Sequence, residues 1–249
     1  LRACLRFIMA FILAVSASCC IGRVSAAPAS VPADETVGVV MGDSIAAGYP
    51  LAGRLIPKRG VFAASYADKP GQPAYELRSL TSYTWYNQAV SGQNTSQIRA
   101  RWCRDVLDAG CDPGDGLGRD TLPDKPDYVV LSAGINDTWQ GIKFETTVNN
   151  LTYMLRTAAD HDITVIVYTA YWFDLKDKAL QARVDRLTEW IVGNVPKLGG
   201  FVYRYDEFAR SHRADRTKYF LDKLHPNAEG DRLIAEELIE QFPFLLGSL

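Results

Sequence analysis

The chain has 249 residues, 47% hydrophobic and 22% charged, a composition that suits one large α/β domain or two small ones with a sizeable core. Its 27 Lys and Arg against 29 Asp and Glu leave a formal net charge of -2. That balance excludes the basic footprint of a nucleic-acid-binding protein and favours a neutral or weakly charged substrate.

The first segment differs from the rest. Arg2 and Arg6 precede the apolar run Phe7 to Val15, and Val24-Ser25-Ala26 supplies small residues beyond it, the pattern of a secretory signal peptide over residues 1–26, cleaved after Ala26. The run is too short for a membrane span, and the residues before Cys19 fit a lipidation site poorly. The expected location is therefore secreted or periplasmic, with no stable span in the mature chain. Cys4, Cys19 and Cys20 leave with the leader, so Cys103 and Cys111 remain. An even pair in an exported protein predicts a disulfide between them.

Residues 27–36 form a polar, proline-bearing lead-in, and one domain is expected over residues 37–249. Short apolar or β-branched runs at Val37 to Met41, Thr84 to Val90, Tyr128 to Ser132, Ile163 to Thr169 and Phe201 to Tyr205 predict buried strands. Helical spacing falls between and after them. Val148, Leu151, Leu155 and Ala158 mark one buried face. Leu180, Val184, Leu187, Ile191 and Val195 mark a second, within Lys178 to Val195, and a last helix runs from Asn227 to Phe242. Strand and helix alternating in this way predict a parallel sheet covered by helices on both faces, with the site in the loops leaving the carboxyl ends of the strands. Two stretches, Gly48 to Gln72 and Asp108 to Pro126, are long for connections, and read equally as a functional rim or as surface insertions.

Ser44 follows the first strand, Gly92 the second and Asn136 the third, while Asp222 and His225 stand just before the last helix. A serine becomes nucleophilic when a base takes its proton. Of the three histidines, His161 lies at a helix end and His212 in a charged stretch. His225 has a carboxylate three residues before it and a helix-starting proline after it, which makes it the base candidate. Each residue also has a plainer reading: Ser44 as a helix N-cap, Asp222 and His225 as a helix-entry turn, Gly92 and Asn136 as turn formers. Trp139 reads equally as a substrate-pocket residue or as packing, and Tyr171, Trp172 and Phe173 read as packing. No residue pattern calls for a metal or a cofactor.

Gly42-Asp43-Ser44-Ile45, the Gly92 of Asn87 to Gly92, Gly134-Ile135-Asn136-Asp137 and Asp222-Lys223-Leu224-His225-Pro226 resemble, in order, the signature blocks of the GDSL, or SGNH, hydrolases. The resemblance spans Gly42 to Gly230. It implies a three-layer α/β/α, flavodoxin-like fold with a five-stranded parallel sheet. It also implies that Ser44 is the nucleophile, His225 the general base and Asp222 its orienting partner, with an oxyanion hole from the Ser44 and Gly92 N–H groups and the Asn136 amide. The expected activity is that of an exported serine esterase on carboxylic esters with short acyl groups, such as acetyl esters of glycans or small alcohols. The same residues would serve a glycan O-acyltransferase, and a non-catalytic glycan-binding module on the same scaffold is the third reading. Oligomeric state is not legible in the sequence.

Overall fold

The structure, a computed structural model, describes residues 36–51, 65–66, 69–107 and 125–247. The chain divides into two compact units, Leu1–Val31 and Pro32–Leu249, and every described residue belongs to the second. The leader, Cys111 and most of both long connections lie outside the described residues.

The strands are β1 (Val37–Gly42), β2 (Ser65–Tyr66), β3 (Thr84–Asn87), β4 (Tyr128–Ser132), β5 (Thr164–Tyr168) and β6 (Phe201–Tyr203). They form one sheet in the order β2-β3-β1-β4-β5-β6. All five predicted strands are present and pair in parallel, with Val40 opposite Asn87 on one side and Val130 on the other. The addition is β2, a two-residue strand antiparallel to β3 at the edge, inside the stretch read from the sequence as a connection. Two residues are too few for period-two alternation to show.

Strand ends account for most boundary differences. Past Asn87 the chain still follows β1, through Gln88 N–H to Val40 O at 2.8 Å and Val90 N–H to Gly42 O at 2.9 Å, so the predicted run to Val90 reflects continued pairing beyond β3 proper. β6 stops at Tyr203 because Tyr205 opens a helix.

The helices are α1 (Ser44–Ala47), α2 (Pro73–Leu80), α3 (Thr95–Trp102), α4 (Ile135–Gln140), α5 (Phe144–Ala159), α6 (Lys178–Asn194), α7 (Tyr205–Ser211), α8 (Arg216–Tyr219) and α9 (Ala228–Gln241). Predicted faces of the long helices are the buried ones. Leu151, Leu155 and Ala158 line the inner side of α5, with Met154 beside them. Leu180, Val184, Leu187 and Ile191 do the same on α6. Asp177 caps α6 by accepting the Ala179 and Leu180 N–H groups, and Asn227 caps α9 through Gly230 N–H at 3.0 Å. Helix α2 packs on α9, while α3 and α6 pack on α5. With right-handed crossovers, these two groups cover opposite faces of the sheet, giving three layers. No helix among the described residues is long and apolar enough to cross a membrane.

The order of the five parallel strands reverses at β1, whose neighbours are β3 on one side and β4 on the other. A crevice opens at such a reversal, outside the carboxyl ends of the strands. Ser44 stands at the end of β1 and Asn136 just after β4.

Candidate active site

The turn that presents Ser44 is built by its neighbours. Gly42 has φ of 138°, and a Cβ there would lie 2.0 Å from Ser132 O, so close passage of β1 past β4 requires glycine. Asp43 N–H then donates to the same Ser132 O at 3.0 Å. The Asp43 side chain caps α1 by accepting Ile45 N–H at 3.0 Å and also accepts the Ser132 hydroxyl at 3.0 Å. Burial pushes the Asp43 carboxyl up to about 7 against the lowering effect of those donors and of Ala46 N–H, with Asp137 adding a like charge. Asp43 therefore braces the turn that carries Ser44, which is itself 7% exposed.

His225 reaches Ser44 from the other end of the chain. Its Nε2 lies 2.8 Å from Ser44 Oγ, and its Nδ1 lies 2.8 Å from Asp222 Oδ2. A carboxylate oxygen can only accept, so Nδ1 carries the proton; Nε2 is then the acceptor for the serine hydroxyl, as a general base must be. The second Asp222 oxygen accepts the N–H groups of Leu224 and His225, both at 2.7 Å. Burial alone would raise the Asp222 pKa, but the His225 and Leu224 donors outweigh it and hold the carboxyl below the usual carboxylate range. The loop is pinned on both flanks. Leu221 N–H donates to His225 O at 2.9 Å, Tyr205 Oη donates to Leu224 O at 2.7 Å, and Asn227 N–H donates to Tyr219 O at 2.9 Å.

Gly92 and Asn136 meet at one turn. The Asn136 amide donates to Gln93 O at 2.9 Å, and the Gln140 amide donates to Gly92 O at 3.2 Å while its oxygen accepts from Asn94. Gly92 has φ of 83°, and among the described residues, its chain neighbours aside, no atom lies within 4 Å of where its Cβ would be. The residue is thus glycine for its backbone conformation and for open approach on that side. Asp137, next to Asn136, is buried and accepts from Thr95 N–H at 2.8 Å, from the Thr95 hydroxyl and from the Thr147 hydroxyl at 3.0 Å. It ties α3 and α5 to α4, and burial raises its pKa despite these donors.

Several contributors carry no mark in the sequence. Arg101, 5% exposed on α3, donates to Gln88 O at 2.5 Å, Gln93 Oε1 at 2.8 Å and Gly42 O at 3.4 Å, and pairs with Asp105 at 2.6 Å. It clamps the loop bearing Gly92 to the end of β1. In sequence it is one of two arginines in Arg99-Ala100-Arg101, with nothing to separate the buried one from its neighbour. The Tyr49 ring packs on the His225 ring with centroids 4.8 Å apart. Trp139, 64% exposed, meets Trp172 at 5.3 Å. Tyr171 and Phe173 are buried, as expected for packing. The other two histidines are engaged locally: His161 Nδ1 with Thr157 O, and His212 Nδ1 with Phe208 O.

Ser44, His225 and Asp222 thus form one hydrogen-bonded series beside a turn that holds Gly92 and Asn136. The geometry can deprotonate a hydroxyl and present it to an electrophile. The fold is α/β, and the arrangement has the parts that a serine hydrolase would use. The model of the GDSL-like lipase/acylhydrolase family matches residues 40–233, and the chain belongs to that family of carboxylic ester hydrolases.

Solved structures agree on the fold. A member of the lipolytic protein G-D-S-L family from Veillonella parvula is 18% identical, with 84% of this chain and 98% of that one covered and a TM-score of 0.60. Axe2, an acetylxylan esterase from Geobacillus stearothermophilus, is 15% identical, with 87% and 95% covered and a TM-score of 0.62. A search of curated proteins finds no match.

Proposed function

We propose that the protein is an exported serine ester hydrolase that works through an acyl-enzyme on esters with short acyl groups. The observation that carries this reading is the continuous series from Ser44 Oγ through His225 to Asp222, with both side-chain contacts at 2.8 Å. Ser44 Oγ attacks the ester carbonyl as Nε2 takes its proton. The imidazolium, stabilised by Asp222, returns that proton to the departing alcohol, and water activated by the same nitrogen releases the acid. The Ser44 and Gly92 N–H groups and the Asn136 amide are the proposed oxyanion donors, each worth about 3 to 4 kcal/mol of transition-state stabilisation. Asn136 suits that part because its amide donates without carrying charge.

The Phe7 to Val15 run with Val24-Ser25-Ala26 supports export. The bonded state of Cys103 supports its pairing with Cys111. The likeness of the fold to Axe2, whose name records an acetylxylan esterase, is in keeping with a short acyl group. Hydrolysis of p-nitrophenyl acetate, butyrate, octanoate and palmitate by the wild type and Ser44→Ala tests the reading. Activity should fall with chain length and vanish with the hydroxyl. A folded Ser44→Ala protein that keeps wild-type turnover would refute the mechanism.

A further inference from the structure

Trp139 is the most exposed of the large apolar side chains among the described residues, at 64%. A single exposed aromatic needs no explanation. This one stands against Trp172, with ring centroids 5.3 Å apart and planes inclined by 38°, and each indole adjoins in sequence a residue bonded to one half of the candidate site. Trp139 lies one turn after Asn136 in α4. Its neighbour Gln140 is bonded to Gly92 O at 3.2 Å. Trp172 precedes Phe173, whose N–H donates to Lys223 O at 2.8 Å, inside the Asp222 to His225 loop. One indole is therefore fixed to the proposed oxyanion side and the other to the base side. Trp172 is partly buried against the core and backs Trp139.

The shape of this surface selects its ligand. An acyl chain gains from burial in proportion to the apolar area taken out of water, so it needs walls on several sides. Trp139, exposed and backed by Trp172, offers one open face. A pyranose ring is matched to that: its axial C–H groups form one apolar face for the electron-rich indole, while its hydroxyls project around the edge into water. A phenyl or acyl group laid on the same face would leave its other side exposed to solvent.

We propose that Trp139, backed by Trp172, is a subsite for a pyranose ring, so that the alcohol part of the substrate is a sugar. The proposal rests on the ester-hydrolase reading of Ser44, His225 and Asp222, and two separate measurements keep their failures distinguishable. The first is binding. Unesterified xylotetraose, cellotetraose and chitotetraose are titrated into the folded Ser44→Ala protein, which needs no turnover, with intrinsic tryptophan fluorescence and calorimetry as readouts. At least one should bind saturably, and Trp139→Ala should weaken it about fivefold or more, the size of an aromatic stacking contact. The second is specificity. The ratio of kcat/KM on the acetylated form of that oligosaccharide to kcat/KM on vinyl acetate should fall by a similar factor in Trp139→Ala, mostly through KM, and recover substantially in Trp139→Phe.

If none of the three oligosaccharides binds, or if Trp139→Ala leaves both affinity and ratio unchanged, the subsite is overturned. A loss on p-nitrophenyl octanoate as large as that on the sugar ester would overturn it in favour of an acyl site. Absence of ester hydrolysis by the wild type would refute the catalytic reading instead, leaving the binding result to stand by itself.

Discussion

Replacing Arg101 by Met tests whether one buried guanidinium holds the loop that carries Gly92. Arg101 and Asp105 are 5% and 3% exposed and 2.6 Å apart, and Arg104 Nε lies 2.5 Å from the other Asp105 oxygen. Removing one member of a buried ion pair costs about 3 to 5 kcal/mol, because the remaining charge stays desolvated. Arg104 still faces Asp105 in the variant, so the lower end, about 3 kcal/mol, applies. For a domain of this size each kcal/mol moves the melting temperature by about 2 to 4 °C, giving a fall of roughly 6 to 12 °C. Met retains the apolar stem, so the change isolates the charge and the donors to Gln88 O and Gln93 Oε1. Loss of these anchors should also lower kcat on p-nitrophenyl acetate by about tenfold, short of the 10² to 10³ expected when an oxyanion donor is deleted outright. Circular-dichroism melts, and kinetics well below both midpoints, read the two effects. Arg101→Lys should be intermediate, since an ammonium cannot span four acceptors as a planar fork does. A Met variant that melts within about 2 °C of wild type with unchanged kcat would refute the clamp.

The remaining predictions touch other parts of the site and its support. Asp222→Asn should cut kcat by about 10² to 10⁴, because an amide can donate to Nδ1 and so move the imidazole proton to Nε2, where it blocks acceptance from Ser44. The lower end is expected, since Asp222 is 45% exposed and water can restore the tautomer in part; wild-type rates in a folded variant would remove Asp222 from the mechanism. Asp206 provides a test in acid. Burial would raise its carboxyl, but Arg204, Thr169 and Arg210 hold it down at about 2. A carboxyl depressed in the folded state contributes stability that is present above its unfolded value near 4 and is lost as pH falls toward 2. The shift corresponds to about 2.5 kcal/mol, discounted to about 1 to 2 because the arginine partners reach solvent. Urea unfolding of wild type between pH 5 and 2 should show that loss and Asp206→Asn should not; parallel curves would show that the cluster is not linked to folding. Thiol titration of the denatured, unreduced mature protein should find no free thiol if Cys103 and Cys111 are bridged, and two thiols would reject the bridge.

Much of the fold follows from local pattern. Val37 to Gly42 and Tyr128 to Ser132 are buried on both faces, so their sequences are continuous apolar runs, and the 3.6-residue periods of α5 and α6 name the faces that pack. The short helices α1, α2, α3, α4, α7 and α8 escape such a reading, as does β2. Elements this brief contain too few turns or alternations for periodicity, and they exist because tertiary contacts hold them. The structure makes Asn227 the cap of α9 rather than its first residue, and gives Asp177 the same part at α6, both residue types that the capping position favours.

The sequence by itself determined the chemical inventory: a serine after the first predicted strand, a neutral amide after the third, and an aspartate three residues before a histidine at the entrance to the last helix. Taken singly, each of those residues also reads as a cap or a turn former at a strand exit or a helix start; their ordered combination is what is distinctive. Only the tertiary structure decided that Ser44 Oγ and His225 Nε2, 181 residues apart in the chain, lie 2.8 Å from one another. It alone separated buried Arg101 from its exposed-looking neighbours and brought Trp139 against Trp172. Contacts of this kind depend on strand order and crossover hand, which place distant loops at one edge of the sheet, and no window of sequence contains that information.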